Sequence, residues 1–347
     1  MKFSVLVPHV NYSASPDAIR DVAQAAEGLG YAGLAVADQI HYGGWYIASG
    51  STIPVEGGDR RDIYEAFETL AYLAAITERV ELMPTVVVVP VREPVLAAKQ
   101  LATIDVLSKG RLAVGVGVGR PWTVSKDAAL VNETHRAHAA AQYDLFRMPK
   151  HRGNLMDECL DAWVEIWTQE LASYHGEYVD FTDVPIFPKP VQKPHPRFFV
   201  GGRADAAINR TARLGGVWLP SQPNPYEYEQ KLPLLRERFE AHGRPAPTET
   251  GINLFASFSP DGDDAVNLVQ DAVGKNFQTP EEMRLRTIAG DKQFWIDRLN
   301  QWAQIGVTYV DLKPIYRDLS HLMEQLEFIA TEIMPEVAPS APIGRAE

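Results

Sequence analysis

Strand-like apolar runs alternate with helix-length amphipathic segments along nearly the whole chain, and this alternation restricts the fold more than any other feature. Parallel strands need long crossovers, so the pattern describes βαβ units with both sheet faces covered. Eight strands are expected, at residues 2–8, 32–37, 80–89, 111–118, 197–200, 216–219, 251–258 and 307–312. Helices are expected at about 16–29, 63–77, 94–107, 154–169, 204–214, 226–242, 292–305 and 320–333. The first is marked at both ends, by Ser15 as N-cap with Pro16 at the first helical position, and by Gly28 and Gly30 at its close. Eight strand–helix units fit an α/β fold of the closed (β/α)8 barrel type, a TIM barrel; a doubly wound open sheet is the competitor. No composition break divides the chain, so one domain over 1–335 with a tail at 336–347 is expected.

Three connections are too long for plain βα loops: 39–62, 120–152 and the proline-rich 172–196, which reads as a hairpin and an extended strap. Most of these insertions leave from the C-terminal ends of strands, the barrel face where active sites form. The 33 basic and 45 acidic side chains give a net charge of −12, which argues against nucleic acid as the main partner. The longest apolar stretches, at 70–76 and 86–89, fall far short of the roughly 20 residues of a membrane span. The apolar run near the start is cut by Pro8, too early for a signal-peptide core. Cys159 is the single cysteine, so no disulfide framework forms and a cytoplasmic setting is expected.

Gly28, Gly30 and Gly33 match a GxGxxG pattern by letter, but they close a helix and lead into a strand. That is the reverse of a dinucleotide loop. Gly115, Gly117 and Gly119 fall at spacing two on strand four and clear one side of the sheet, either for a flat ring or for a crowded barrel interior. Gly201, Gly202 and Arg203 join strand five to a helix, placing free N–H groups, a positive dipole end and a forked cation together. This is either a phosphate cradle or a tight turn with a solvated arginine. His9 ends strand one; Asp38, Gln39 and His41 end strand two. Such positions suit proton transfer, although a single histidine is as readily a surface residue. Glu133, His135 and His138 are close in sequence but lack an evident further ligand, so a solvated face is the better reading and no metal site is assigned. No GxSxG, Walker lysine loop, HExxH or CxxC is present.

The segments Glu78–Leu82, Pro90–Gln100, Asp105–Arg111 and Gly115–Gly119, then Phe187–Pro196, Gly201-Gly202 and Ala212–Trp218, resemble the luciferase-like monooxygenase superfamily in order over roughly residues 1–220. The resemblance implies a (β/α)8 barrel, often dimeric, that binds reduced FMN or the deazaflavin coenzyme F420. It implies a non-proline cis peptide near Thr85, Val86 and Val87, forming a bulge against the cofactor, and an anion site at Gly201, Gly202 and Arg203. Gly117 and Gly119 join these as cofactor-binding residues. Two departures stand out. Many F420-using relatives have Asp-His where this chain has Asp38-Gln39, leaving His41 to substitute; an arginine near Val118 in bacterial luciferase corresponds to Arg120, two residues later. The run from Thr77 to Gly119 resembles the F420-using branch more, so F420 is preferred to FMN.

The expected activity is hydride transfer between F420 and a small organic substrate, with His41 as the proton-transfer residue and Asp38 orienting its loop. The alternative is an FMNH2-dependent monooxygenase that uses O2 and a separate flavin reductase; a reading of another class is a flavin-binding protein without turnover. Trp45, Tyr46, Tyr64 and Trp122 could wall an apolar pocket or anchor loops. An aldolase or isomerase barrel would require a lysine or carboxylate base inside the barrel, and no lysine is expected in such a position.

Overall fold

The computed structural model describes residues 1–10, 13–39, 62–119, 146, 151–274 and 277–343. In chain order the principal elements are β1 (Lys2–Leu6), α1 (Pro16–Gly28), β2 (Gly33–Val36), α2 (Ala66–Ile76), β3 (Glu81–Pro84), β4 (Val87–Val88), α3 (Pro94–Leu107), β5 (Val114–Gly117) and α4 (Arg152–Thr168). There follow β6 (Ala172–His175), β7 (Asp180–Val184), β8 (Phe198–Val200), α5 (Asp205–Leu214), β9 (Val217–Trp218), α6 (Pro225–Ala241) and β10 (Gly251–Phe258). The chain continues through α7 (Gly262–Val273), α8 (Pro280–Arg286), β11 (Ile288–Gly290), α9 (Lys292–Ile305), β12 (Tyr309–Pro314) and α10 (Leu319–Phe328).

Local chemistry explains the element ends. The Ser15 side chain accepts from the N–H of Ala18 at 3.0 Å to start α1, and Ala18, Ile19, Val22, Ala23 and Ala26 form its buried stripe. Asp291 caps α9, and Gly306 ends it in a left-handed conformation at φ 104°. The expected strand at 80–89 divides into β3 and β4 around a cis peptide between Thr85 and Val86. The hairpin read in the proline-rich strap is β6 and β7, paired antiparallel. Unexpected are α7, α8 and β11, an insertion after β10 in which β11 pairs parallel to that strand's C-terminal end.

Strand order runs β10-β12-β1-β2-β3 in one sheet, with β11 at its edge, and β4-β5-β8-β9 in the other. Two parallel bridges join them: Leu82 to Leu112 between β3 and the approach to β5, and Ser221 to Asn253 between the end of β9 and β10. Hydrogen bonds continue across both seams, from Leu82 N–H to Arg111 O at 2.9 Å and from Gln222 N–H to Asn253 O at 2.7 Å. The ring of eight parallel strands is therefore closed, which decides against the open sheet. No helix among the described residues is long and apolar enough to cross a membrane.

The interior is layered. Met83, Ala113, Phe199, Val217, Leu219 and Tyr309 pack at the N-terminal end, with the Phe199 and Tyr309 rings 4.9 Å apart. Beneath them Arg197 donates to both Glu81 oxygens at 2.8 Å and to Glu249 at 2.5 Å, closing the floor. Above this plug the interior turns polar: Ser4 Oγ donates to Asp311 Oδ1 at 2.7 Å, and the Asn253 amide donates to Asp311 Oδ2. Buried polar atoms are tolerated only when paired, so this gradient directs chemistry toward the C-terminal mouth.

Candidate active site

The wall of the mouth is built around Val86. An added Cβ on Gly117 would lie 2.6 Å from Val86 Cγ2, and one on Gly115 would lie 2.0 Å from the Pro84 carbonyl oxygen. The crowded-interior reading of these glycines therefore holds: their missing side chains admit the β3–β4 bulge. Gly119 follows at φ 72°. Val87 is fully buried behind the bulge.

Asp38 is tied to this wall. Its carboxylate accepts from Val88 N–H at 2.9 Å and from Arg92 Nε at 3.2 Å, and pairs with Arg92 Nη2. Arg92 also pairs with Glu65 and stacks 4.2 Å from the centroid of Phe67. Burial alone would lower the Arg92 pKa, but hydrogen bonding and charge from Asp38, then Glu65, hold it above the usual value. Asp38 thus fixes the bulge and the start of the segment that leads to His41. Gln39, the next residue, is buried.

His9 is fully buried between β1 and β2. Its Nδ1 lies 2.9 Å from Val7 O, and its Nε2 accepts from Ala37 N–H at 3.1 Å. One neutral tautomer satisfies both contacts, with Nδ1–H donating to Val7 O. Burial lowers its pKa, and the charge of Lys313 acts in the same direction. With both ring nitrogens engaged by backbone, His9 clasps the ends of two strands. Tyr64, half-buried, donates its backbone N–H to His9 O at 3.0 Å.

On the opposite side, β8 runs through Gly201 and Gly202 into α5. Gly202 has φ +119°, and an added Cβ would lie 3.1 Å from that of Ala207, so a side chain would be both strained and crowded. The N-cap of α5, Ala204, offers no capping side chain, leaving first-turn N–H groups available to an anion. Arg203 is exposed beside them and makes no hydrogen bond or ion pair with any described residue. Partial desolvation, then the like charge of Arg286, lowers its pKa. Arg286 itself is held by Glu282 and Glu227 at 2.9 Å, and donates to Gln222 O at 3.2 Å. Gln222 Nε2 and Ser257 Oγ, at the ends of neighbouring strands, are buried without a hydrogen-bond partner. Orphaned donors and an uncapped, cation-flanked helix end fit a polar ligand with an anionic stem.

A lysine does stand inside the barrel: Lys313, two residues beyond Asp311 on β12, has 5% exposure, and its Nζ lies 5.9 Å from the Phe255 centroid. The strand was expected to end at residue 312, and the alternation of Tyr309, Asp311 and Lys313 toward the axis would have revealed it. His41, Trp45, Tyr46, Arg120, Trp122, Glu133, His135 and His138 lie outside the described residues.

A sequence profile of luciferase-like monooxygenases matches residues 1–308. The chain belongs to the luciferase-like monooxygenase family. This luciferase-like chain is 30% identical over 248 residues to an uncharacterized protein of Mycobacterium tuberculosis, covering 70% of this chain and 78% of the relative. It is 31% identical over 183 residues to an FMNH2-dependent dimethylsulfone monooxygenase of Pseudomonas putida, covering 53% of this chain and 46% of the relative. Its fold is similar to that of the coenzyme F420-dependent tetrahydromethanopterin reductase of Methanopyrus kandleri, with a TM-score of 0.75 at 17% identity over 97% of this chain and 99% of that one. The chain is accordingly an oxidoreductase of the luciferase-like monooxygenase family.

Proposed function

We propose that the barrel mouth binds coenzyme F420 and catalyses hydride transfer to or from a small organic substrate. The observation that carries this reading is the joining of two features at Gly201: an added Cβ there would lie 3.3 Å from Val86 of the bulge, and the next residues form the uncapped anion corner with Arg203. A flat ring against the bulge and an anionic stem at the corner would share one continuous surface. F420 is preferred because the run from Thr77 to Gly119 resembles the F420-using branch.

The bound cofactor supplies the hydride chemistry. The chain's own residues divide the remaining work. Arg203 and the α5 N–H groups hold the stem; Val86, seated against Gly117 and Gly201, backs the ring; Asp38 and Arg92 anchor the segment carrying His41, which is assigned the proton transfer. The second reading, FMN with O2 and a separate reductase, is supported by the Pseudomonas putida relative. A homodimer is the proposed assembly, and exposed Leu96, Leu107, Phe187 and Val191 offer apolar surface for it.

Calorimetric titration with F420 and FMN, each oxidised and reduced, tests the proposal, followed by cofactor-oxidation assays with carbonyl and alkene substrates with and without O2. Tight F420 binding with oxygen-independent turnover is expected. Preferential FMN binding with O2 consumption moves the assignment to the second reading, binding without turnover to a flavin-binding protein, and no binding of either refutes the site.

A further inference from the structure

We infer that Lys313 sets a positive charge against the bound redox ring and so favours the more anionic of its redox states, which for FMN is the reduced ring over the oxidised, neutral one. The inference rests on the ring-binding reading above. Along β12, Tyr309 meets Phe199 at the floor, Asp311 reaches Ser4 and Asn253 one layer higher, and Lys313 stands one layer above that, at the mouth. Each step of two residues rises roughly 6.6 Å. The position around the ring matters as much as the height. From β12 three steps through β1 and β2 reach β3, and three through β10 and β9 reach β8, counting the seam at Ser221. A ring backed by the β3 bulge, with its stem leaving at β8, would leave its remaining side facing β12.

The charge at this point is embedded in a matching environment. Lys313 is opposite Phe255 in the strand register, and its electrostatic influence reaches both His9 and Asp311. Burial, the strongest influence, holds the Asp311 pKa above its usual value against the lowering pull of Ser4, Lys313, Asn253 and the Thr85 hydroxyl. Both Asp311 oxygens accept hydrogen bonds, the pattern of an ionised carboxylate, which balances a buried ammonium. Thr85 is also the first residue of the cis peptide, so Asp311 lies beside the base of the wall assigned to the ring, with Lys313 one layer nearer the mouth. A reduced flavin gives up a ring proton near neutral pH while the oxidised flavin ring stays neutral, so a cation beside the ring would bind the reduced form more strongly.

The experiment measures dissociation constants of the full-length protein for oxidised and dithionite-reduced FMN, and in parallel for F420, in the parent, Lys313→Met, Lys313→Arg and Asp311→Asn. Lys313→Met is expected to weaken reduced FMN about tenfold more than oxidised FMN and to weaken both states of F420, and Lys313→Arg to keep the parent ratio. Asp311→Asn, which retains the cation and removes its balancing charge, is expected to shift the ratio toward the reduced form. It serves as the independent measure where Lys313→Met does not fold. Equal loss of both forms of FMN, or an unchanged ratio in both variants, overturns the inference and leaves Lys313 a packing residue. Failure of the parent to bind either cofactor in either state instead overturns the ring-binding reading itself.

Discussion

Two arginines bracket the short strand β8, one at each end of the barrel, and their surroundings differ sharply. Arg197, before the strand, has a bidentate bond to Glu81, a second carboxylate in Glu249 and the Phe199 ring 4.7 Å away. Burial would lower its pKa, but Glu81, then Glu249, hold it above the usual value. Arg203, after the strand, has no hydrogen-bonded carboxylate among the described residues and is lowered by desolvation and by Arg286. A cation paired with carboxylates on every side is structural; an exposed one without a carboxylate partner keeps its donors open to an external anion. The floor is electrostatically complete, and the mouth is not.

The largest effect expected from this contrast is on stability at the floor. Arg197→Ala leaves Glu81 and Glu249 facing each other without their cation and is expected to cost about 3 kcal/mol in urea denaturation, with little change in cofactor affinity. Arg203→Ala should do the opposite: stability within about 0.5 kcal/mol of the parent, but cofactor binding weakened about tenfold or more by calorimetry. If Arg203→Ala destabilises the fold and leaves affinity unchanged, the two ends are alike and the anion corner is a turn.

The same contrast separates the ends on the pH axis. His9 has a folded pKa below 6.5, so the unfolded chain takes up its proton first as pH falls. Its contribution to stability is complete above about 6.5 and declines below that, by up to about 1.4 kcal/mol per pH unit until the depressed folded value is reached. At the floor, burial pushes Glu249 upward, but Lys2 and Arg197 outweigh it and hold the folded pKa below 4.5. That stabilisation is present above 4.5 and is lost only as pH falls through the depressed value. Denaturation of His9→Gln between pH 7.5 and 5 should therefore show a flatter decline than the parent, with the acid limb below pH 4.5 unchanged. An identical decline in the variant would remove His9 from the mouth's titration.

How much of this was legible in the sequence depended on the distance between partners. The strands, the α9 boundaries and the glycine corner follow from local signals: periodicity, caps and a strand–turn–helix junction. The insertion after β10 also had local signals, since Asp261 caps α7 and Thr279 precedes Pro280 at the start of α8. One helix per strand already completes the barrel pattern, so those signals add a helix pair that the repeat does not require. The resemblance supplied the cis peptide at Thr85 and Val86, which periodicity alone does not encode. The Arg92–Asp38 pair, 54 residues apart, and the packing of Val86 against Gly117 and Gly201 arise only when β2, β3, β5 and β8 come together. Lys313 lies one residue beyond the apolar run that marks the last strand, so hydrophobic periodicity does not place it inside the barrel.

The smallest expected effect is the most discriminating. Gly201→Ala adds a Cβ 3.3 Å from Val86 Cγ1 and 3.4 Å from Val116 O, contacts that a shift of a few tenths of an ångström relieves. Gly201 is not among the residues with positive φ, so no backbone conformation forbids alanine there. Its cost to stability should stay below about 1 kcal/mol, unlike Gly117→Ala, where the added atom would lie 2.6 Å from Val86 Cγ2 and must displace it. If Gly201→Ala nevertheless weakens F420 or FMN binding, the lost affinity belongs to a ligand approaching the backbone at that corner, because the protein alone tolerates the methyl group. If affinity is unaffected, the glycine serves only the bulge, and the mouth's open cation must meet its anion elsewhere.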